Sequence, residues 1–326
     1  MATEKSLVLQ ARDLLYERGQ KGLDKAREIM LQEKIPYAPL QEAVEYFMIS
    51  WQDVLHPALL SLSCEAVGGK PEITTSVAAA LVLLAGGADL HDDIIDQSVV
   101  KDSKPTVFGK FGKDLTILAG EVLLFKGLYV LHEACETLPT EQKRAILELT
   151  KQAFFGISSA EAKETSLRGR TDTAEEYFEM IKMKSAVSEA TMRIGAILGQ
   201  GNLEEIEVLG NYGKALGVLF TLRDEFIDIW DADELKNRYE KECLPLPVLL
   251  TFKDSKKVKL ILALLSGDMS EKLVDDVLDL VIDSKQTHNL KKEMRLMVQQ
   301  QNRNLQLIKL DTDDFKLLLN SMIENL

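Results

Sequence analysis

Apolar residues recur every three to four positions along nearly the whole chain, and no segment alternates in the strict two-residue manner of a half-buried strand. The pattern predicts helices over 5–33, 37–50, 57–67, 72–97, 114–137, 140–165, 174–199, 203–231, 245–253, 256–266, 271–284, 286–308 and 313–324. Their punctuation agrees: Gly68-Gly69 closes one helix and Pro71-Glu72 opens the next. Thr173 and Glu176 have the spacing of a capping box. Loops are expected over 98–113, 166–172 and 232–243. Helices 72–97, 174–199 and 203–231 are apolar on more than one face and should form the centre of a bundle, whereas those in 256–324 are two-faced and should lie outside. With no linker-like shift in composition and no internal repeat, residues 1–326 read as a single all-α domain.

Composition narrows the setting. The net charge of −13 opposes a nucleic-acid partner, which needs a basic face. Three dispersed cysteines, Cys64, Cys135 and Cys243, suit a reducing compartment with no disulfide framework and no zinc site. The N-terminus lacks an apolar signal segment, and the longest apolar run is short of the roughly 20 residues of a membrane span. A cytoplasmic protein is expected.

Acidic residues break this uniform picture. Two Asp-Asp-x-x-Asp strings occur, Asp92-Asp93-Ile94-Ile95-Asp96 and Asp275-Asp276-Val277-Leu278-Asp279, and the string alone is weak evidence of anything. In 271–284, Leu273, Val274, Val277, Leu278 and Val281 form one stripe and the acids face away, as on a solvated surface. Asp92 and Asp96 instead end a mostly apolar helix, on one face roughly 5–6 Å apart, where the helix dipole already disfavours negative charge. Either this is an exposed helix end or the carboxylates hold a divalent cation together with a phosphate. Asp224 and Asp228 repeat the spacing at the end of another apolar helix, so the two ends could face each other across the bundle.

This pairing resembles the trans-isoprenyl diphosphate synthases (polyprenyl synthetases), most strongly over 50–250. His91-Asp92-Asp93-Ile94-Ile95-Asp96 is similar to that family's first aspartate-rich motif. Phe220-Thr221-Leu222-Arg223-Asp224-Glu225-Phe226-Ile227-Asp228 is similar to its second, with Glu225 in place of an aspartate. Lys104-Pro105-Thr106, Ala119-Gly120-Glu121 and the Tyr177 to Ala186 segment follow the family's order between them. The resemblance implies an isoprenoid-synthase-type helical bundle around a central cavity and a homodimer, or else a hetero-oligomer with a complete synthase. It further implies Mg²⁺, three ions with the substrate diphosphate, held by Asp92, Asp96, Asp224 and Asp228. Lys101 and Lys184 would bind an allylic prenyl diphosphate, with a third cation from 232–243, where Lys236, Arg238 and Lys241 compete. Asp92, Asp96, Asp224 and Lys184 would carry the ionisation. Gly87 and Ala88, where the family places chain-stopping residues, would wall a deep pocket with Phe154, Phe155 and Phe220; close helix packing explains the small residues equally well.

The resemblance is uneven. Where the family's Gly-Gly-Lys-Arg-x-Arg-Pro segment binds isopentenyl diphosphate, this chain has Trp51-Gln52-Asp53-Val54-Leu55-His56-Pro57. The family's second loop arginine falls at Asp102, a histidine at Ala85 and a glutamine at Thr221. Acids where cations bind a diphosphate would repel it. Three outcomes are open: transfer to a different acceptor, a terpene-synthase-like fate of the cation, or a non-catalytic subunit.

Overall fold

The computed structural model describes residues 5–101, 103–230, 232–252, 278–308 and 311–326. Asp102, Asp275 and Asp276, the predicted helix 256–266 and most of 271–284 lie outside them. The fold is all-α. Three helices lead in: α1 (Leu7–Leu31), α2 (Ala38–Ser50) and α3 (Leu55–Ala66). A 3₁₀ turn over Pro71–Thr74 opens α4 (Thr75–Ile95), which ends at Asp96. The expected loop beyond it holds a two-residue hairpin, β1 (Val100–Lys101) antiparallel to β2 (Lys104–Pro105), and a short helix α5 (Val107–Phe111). Then come α6 (Lys113–Ala134), α7 (Thr140–Leu167), α8 (Ala174–Lys184), α9 (Ala186–Leu198) and α10 (Leu203–Asp228). The chain continues through α11 (Ala232–Lys241), α12 (Leu246–Thr251), α13 (Lys285–Asn304) and α14 (Asp313–Met322).

Three features depart from the hydropathy reading. The helix expected over 174–199 breaks at Ser185, whose hydroxyl bonds back to the Lys182 carbonyl, 2.6 Å away, and competes with the helical ladder. The expected loop 232–243 is largely helix α11. It has few apolar residues but anchors through fully buried Leu235 and through buried Arg238, a contact no hydropathy pattern shows. Finally, α3 joins the centre: Pro57 to Cys64 are buried without interruption, so this helix is covered on every side.

The core lies in two apolar clusters that meet at α3, with Leu59 and Leu62 in one and Leu60 in the other. Helices 71–95 and α6 are long and apolar enough, by length and composition, to cross a membrane, contrary to the sequence expectation. They pack lengthwise on each other, and burial of α4 in the bundle accounts for its composition. Their close approach needs small residues: a side chain at Gly87 would meet Leu124 and the Gly120 carbonyl.

Candidate active site

The C-terminal end of α4, the middle of α7, the α8–α9 break and the last third of α10 surround a cavity of about 470 Å³. Its depth is apolar, with Leu81, Leu84, Ala85 and Ala88 on α4, Phe154 and Ile157 on α7, Ile194 on α9 and Phe220 on α10. Asp92, Glu161 and Lys184 border it with charge. From Asp92 to Leu81 is eleven residues along α4, roughly 16 Å of helix. A chamber of this volume suits a small molecule that is apolar along most of its length.

The helix geometry brings Asp92 to the cavity and buries the adjacent Asp93 outside its lining, with an ion pair to Lys101 Nζ at 2.7 Å. Burial still pushes Asp93 up to about 6, against the pull of Lys101. Lys101 also reaches Asp89, 3.4 Å away, whose carboxyl burial raises as well. Asp96 binds Arg168 at 2.5 Å, and the same guanidinium donates to the Ile95 carbonyl at 2.9 Å, capping α4. Burial together with Asp92, Glu242 and Glu164 pushes Asp96 up to about 7. Asp92 Oδ1 is buried with no hydrogen-bond partner among the described residues.

The second acidic end is built on the same plan. Glu225 is buried and receives Arg238 Nη2 and the Tyr177 hydroxyl, each at 2.8 Å, and the Leu246 amide at 2.5 Å. Arg238 Nη1 binds Asp228 at 2.5 Å, and its Nε donates to the Cys243 carbonyl at 2.9 Å. Asp224 has no ion-pair partner among the described residues, and burial with the charges of Asp228 and Glu225 pushes it up to about 7. Arg223 turns away to donate to the carbonyls of Ser321, Met322 and Glu324.

Several expected roles change. Arg238 is not a free diphosphate cation: it is almost fully buried and its donors are taken by Glu225, Asp228, Tyr177 and Cys243. Lys101 is held by Asp93 and Asp89, and Lys184, although on the cavity wall, is held by Glu161 at 3.1 Å and Glu164 at 2.5 Å. Lys241 is exposed at the end of α11. Gly87 does not line the cavity but packs on α6, and Phe155 points outward with 66% of its surface exposed. Ala88, Phe154 and Phe220 do line it.

Sequence reasoning missed Glu161, Glu164 and Glu242, whose charges reach Asp92 or Asp96, and it missed Arg168. Their signal was hidden, because Ala160-Glu161-Ala162-Lys163-Glu164 reads as an ordinary solvated helix face. Burial, Asp92 and Glu164 push Glu161 up to about 7 despite Lys184. It also missed that Asp53 and His56 form a pair on the cavity wall, Asp53 Oδ2 lying 2.7 Å from His56 Nδ1.

Among the described residues no three His, Cys, Asp or Glu side chains form a closed cation cage by themselves. The orphaned Asp92 oxygen and the raised carboxyls of Asp96 and Asp224 nevertheless fit an open Mg²⁺ site, in which one or two carboxylates and the substrate's phosphate oxygens share the coordination.

A family model described as polyprenyl synthetase matches residues 38–281. A short chain isoprenyl diphosphate synthase of Methanothermobacter thermautotrophicus is 30% identical over 229 residues, 70% of this chain and 69% of that protein. A geranylgeranyl diphosphate synthase of Sulfolobus acidocaldarius is 31% identical over 225 residues, 68% of this chain and 66% of that protein. Among solved structures, a geranylgeranyl pyrophosphate synthetase from Pyrococcus horikoshii matches with a TM-score of 0.86 at 25% identity, covering 97% of this chain and 100% of that one.

Proposed function

The chain belongs to the polyprenyl synthetase family and to the prenyltransferases, and from that premise we propose that it ionises a long allylic prenyl diphosphate in the cavity behind Asp92. The observation that carries this reading is the orphaned Asp92 carboxylate at the border of an apolar chamber. The tail would occupy the space between Ala88 and Leu81, and the diphosphate would sit against Asp92 and Lys184. Asp92, Asp96 and Asp224, with Asp228 beside them, would hold Mg²⁺, which would supply positive charge toward the departing diphosphate. Lys184 is poised to exchange Glu161 and Glu164 for phosphate oxygens, and Arg168 holds the end of α4 in place. The apolar walls keep bulk water from the tail.

The acceptor is the second part of the proposal. The Asp53–His56 pair lies where relatives' resemblance leads one to expect lysine and arginine, and it offers a carboxylate where an anionic acceptor needs cations. The acceptor is therefore not isopentenyl diphosphate. The chain acts as one domain, with its three cysteines free and buried in keeping with a cytoplasmic setting. It pairs with a second copy through the outer face of α6, where Leu118, Phe125, Leu128 and Tyr129 are exposed on one stripe.

Incubation with Mg²⁺ and C10, C15 or C20 prenyl diphosphates, with and without isopentenyl diphosphate, tests both parts. Diphosphate release that does not depend on isopentenyl diphosphate is the expected result. Elongated diphosphates would overturn the altered acceptor, and absence of Mg²⁺-dependent substrate binding would overturn the enzyme reading itself. Ala88→Phe should shorten the longest tail accepted.

A further inference from the structure

Asp53 and His56 are an oriented pair, not two stray polar residues. Asp53 precedes α3, and its Oδ1 accepts the His56 backbone amide at 3.2 Å while its Oδ2 meets His56 Nδ1 at 2.7 Å. The carboxylate thus holds both the backbone and the ring of the same histidine. With Nδ1–H directed to Asp53, the neutral ring keeps its lone pair on Nε2. No protein group among the described residues bonds Nε2, and both residues line the cavity. Asp53 is 9% exposed and the His56 side chain 20%. Burial opposes the charged form of each, but their mutual attraction prevails, holding Asp53 below and His56 above their ordinary ranges.

We propose that His56, positioned by Asp53, is the proton acceptor for a neutral hydroxyl-bearing acceptor that captures the prenyl cation. This rests on the reading that the cavity ionises a prenyl diphosphate. The C1–O bond to the diphosphate breaks and its electron pair leaves with the diphosphate. A hydroxyl oxygen then forms the new bond to C1, and its proton passes to His56 Nε2 and on to solvent after product release. Water is the smallest such acceptor and yields a prenyl alcohol; a larger alcohol yields an ether. A neutral acceptor carries no charge for Asp53 to repel, and a hydroxyl needs a base that relieves it of its proton as the bond forms. The other charged groups lining this cavity are Asp89 and Asp92 on α4, Glu161 on α7 and Lys184 on α8, with Lys101 of β1 bound to Asp89. Asp89 and Glu161 are engaged by Lys101 and Lys184, and Asp92 is placed with Mg²⁺, which leaves the His56 imidazole as the open base among the described lining groups.

The test uses the full chain with geranylgeranyl diphosphate and Mg²⁺, in water alone and with glycerol as a neutral alcohol probe. Organic-soluble alcohol or ether is measured across pH, and Mg²⁺-dependent binding of inorganic diphosphate is measured separately. At saturating Mg²⁺, which keeps the metal-site carboxyls deprotonated, wild type should form product at a rate that rises with pH through a histidine step. H56Q, whose amide can still bond Asp53, should lose about a hundredfold in rate and the pH step with it, with diphosphate binding unchanged. D53N should lose less and move the step to lower pH, which a merely structural loss would not do. Wild-type rate and pH step in H56Q would overturn the proposal. So would product only from isopentenyl diphosphate, or no product despite intact diphosphate binding; these leave the diphosphate site standing. Loss of diphosphate binding in wild type would overturn both readings.

Discussion

The ends of α4 and α10 carry the same spacing of acids and neutralise it with different cations. In each, the inner acid is buried and paired: Asp93 with Lys101, Glu225 with Arg238. In each, the last acid meets an arginine, Asp96 with Arg168 and Asp228 with Arg238. In each, the first acid, Asp92 or Asp224, has no ion-pair partner among the described residues. The ends differ in how tightly they are held. Arg238 is one buried guanidinium serving Glu225, Asp228, Tyr177 and the Cys243 carbonyl together. At α4 the work is divided between Lys101, which keeps 45% of its side chain in solvent, and Arg168 on the loop after α7. One acidic end is fixed by a buried network and the other by two separate surface-reaching contacts, so α10 should be the rigid side of the site and α4 the adjustable one.

The largest expected effect tests what the two ends share. D92N and D224N should each lower Mg²⁺-dependent diphosphate release by at least about a hundredfold, the scale of losing one electrostatic contact to a departing group. A loss at one position only would show that the ends do different work. The next effect separates them. R238M strands buried Glu225 and should cost about 3–5 kcal/mol in denaturant unfolding. K101M should cost less, because water can reach the site that Lys101 leaves. Equal losses would remove the distinction between a rigid and an adjustable end. R168Q frees Asp96 and one α4 carbonyl, and should weaken Mg²⁺-dependent diphosphate binding more than it lowers stability.

The smallest effect is on pH. Asp96, Glu161 and Asp224 sit near 7 and Asp93 near 6, all above their ordinary carboxyl range. A carboxyl raised in the folded state binds its proton more tightly there than when unfolded, so stability falls as pH rises from about 4 to about 7. The raised His56 acts in the same direction, its contribution being present below the unfolded value and lost as pH passes the folded one. The metal-free protein should therefore melt lower at pH 8 than at pH 5.5, and Mg²⁺ with inorganic diphosphate should recover most of the difference. A flat profile would mean that the carboxyls are relieved by solvent at both ends.

Much of this was legible before any coordinates. The 3.6-residue period gave the helix inventory because a bundle core selects apolar residues at that spacing, and Gly68 and Pro71 marked boundaries through backbone geometry, whereas the capping box expected at Thr173 and Glu176 does not form, the Thr173 side chain making no cap hydrogen bond. Sequence spacing also placed Asp92 with Asp96 and Asp224 with Asp228, since i and i+4 share a helix face. Helix α11 escaped because its anchor is Arg238, which counts as polar in any hydropathy pattern yet is buried by its partners. Motif position puts Gly87 on the pocket wall, with Phe155 expected beside it, but tertiary packing turns Gly87 toward α6 and Phe155 to solvent.

What the sequence determined by itself is whatever one helix can encode: its period, its ends and which acids lie on one face. Pairing across helices was decided only by the tertiary structure, because Lys184 with Glu161, Arg168 with Asp96, and Asp53 and His56 with the cavity are brought together by packing between segments far apart in the chain. Among the basic residues expected at the diphosphate, sequence alone gave no means to tell a bound cation from an open one. Burial and the carboxylates opposite them made that choice, and both are properties of the packed bundle.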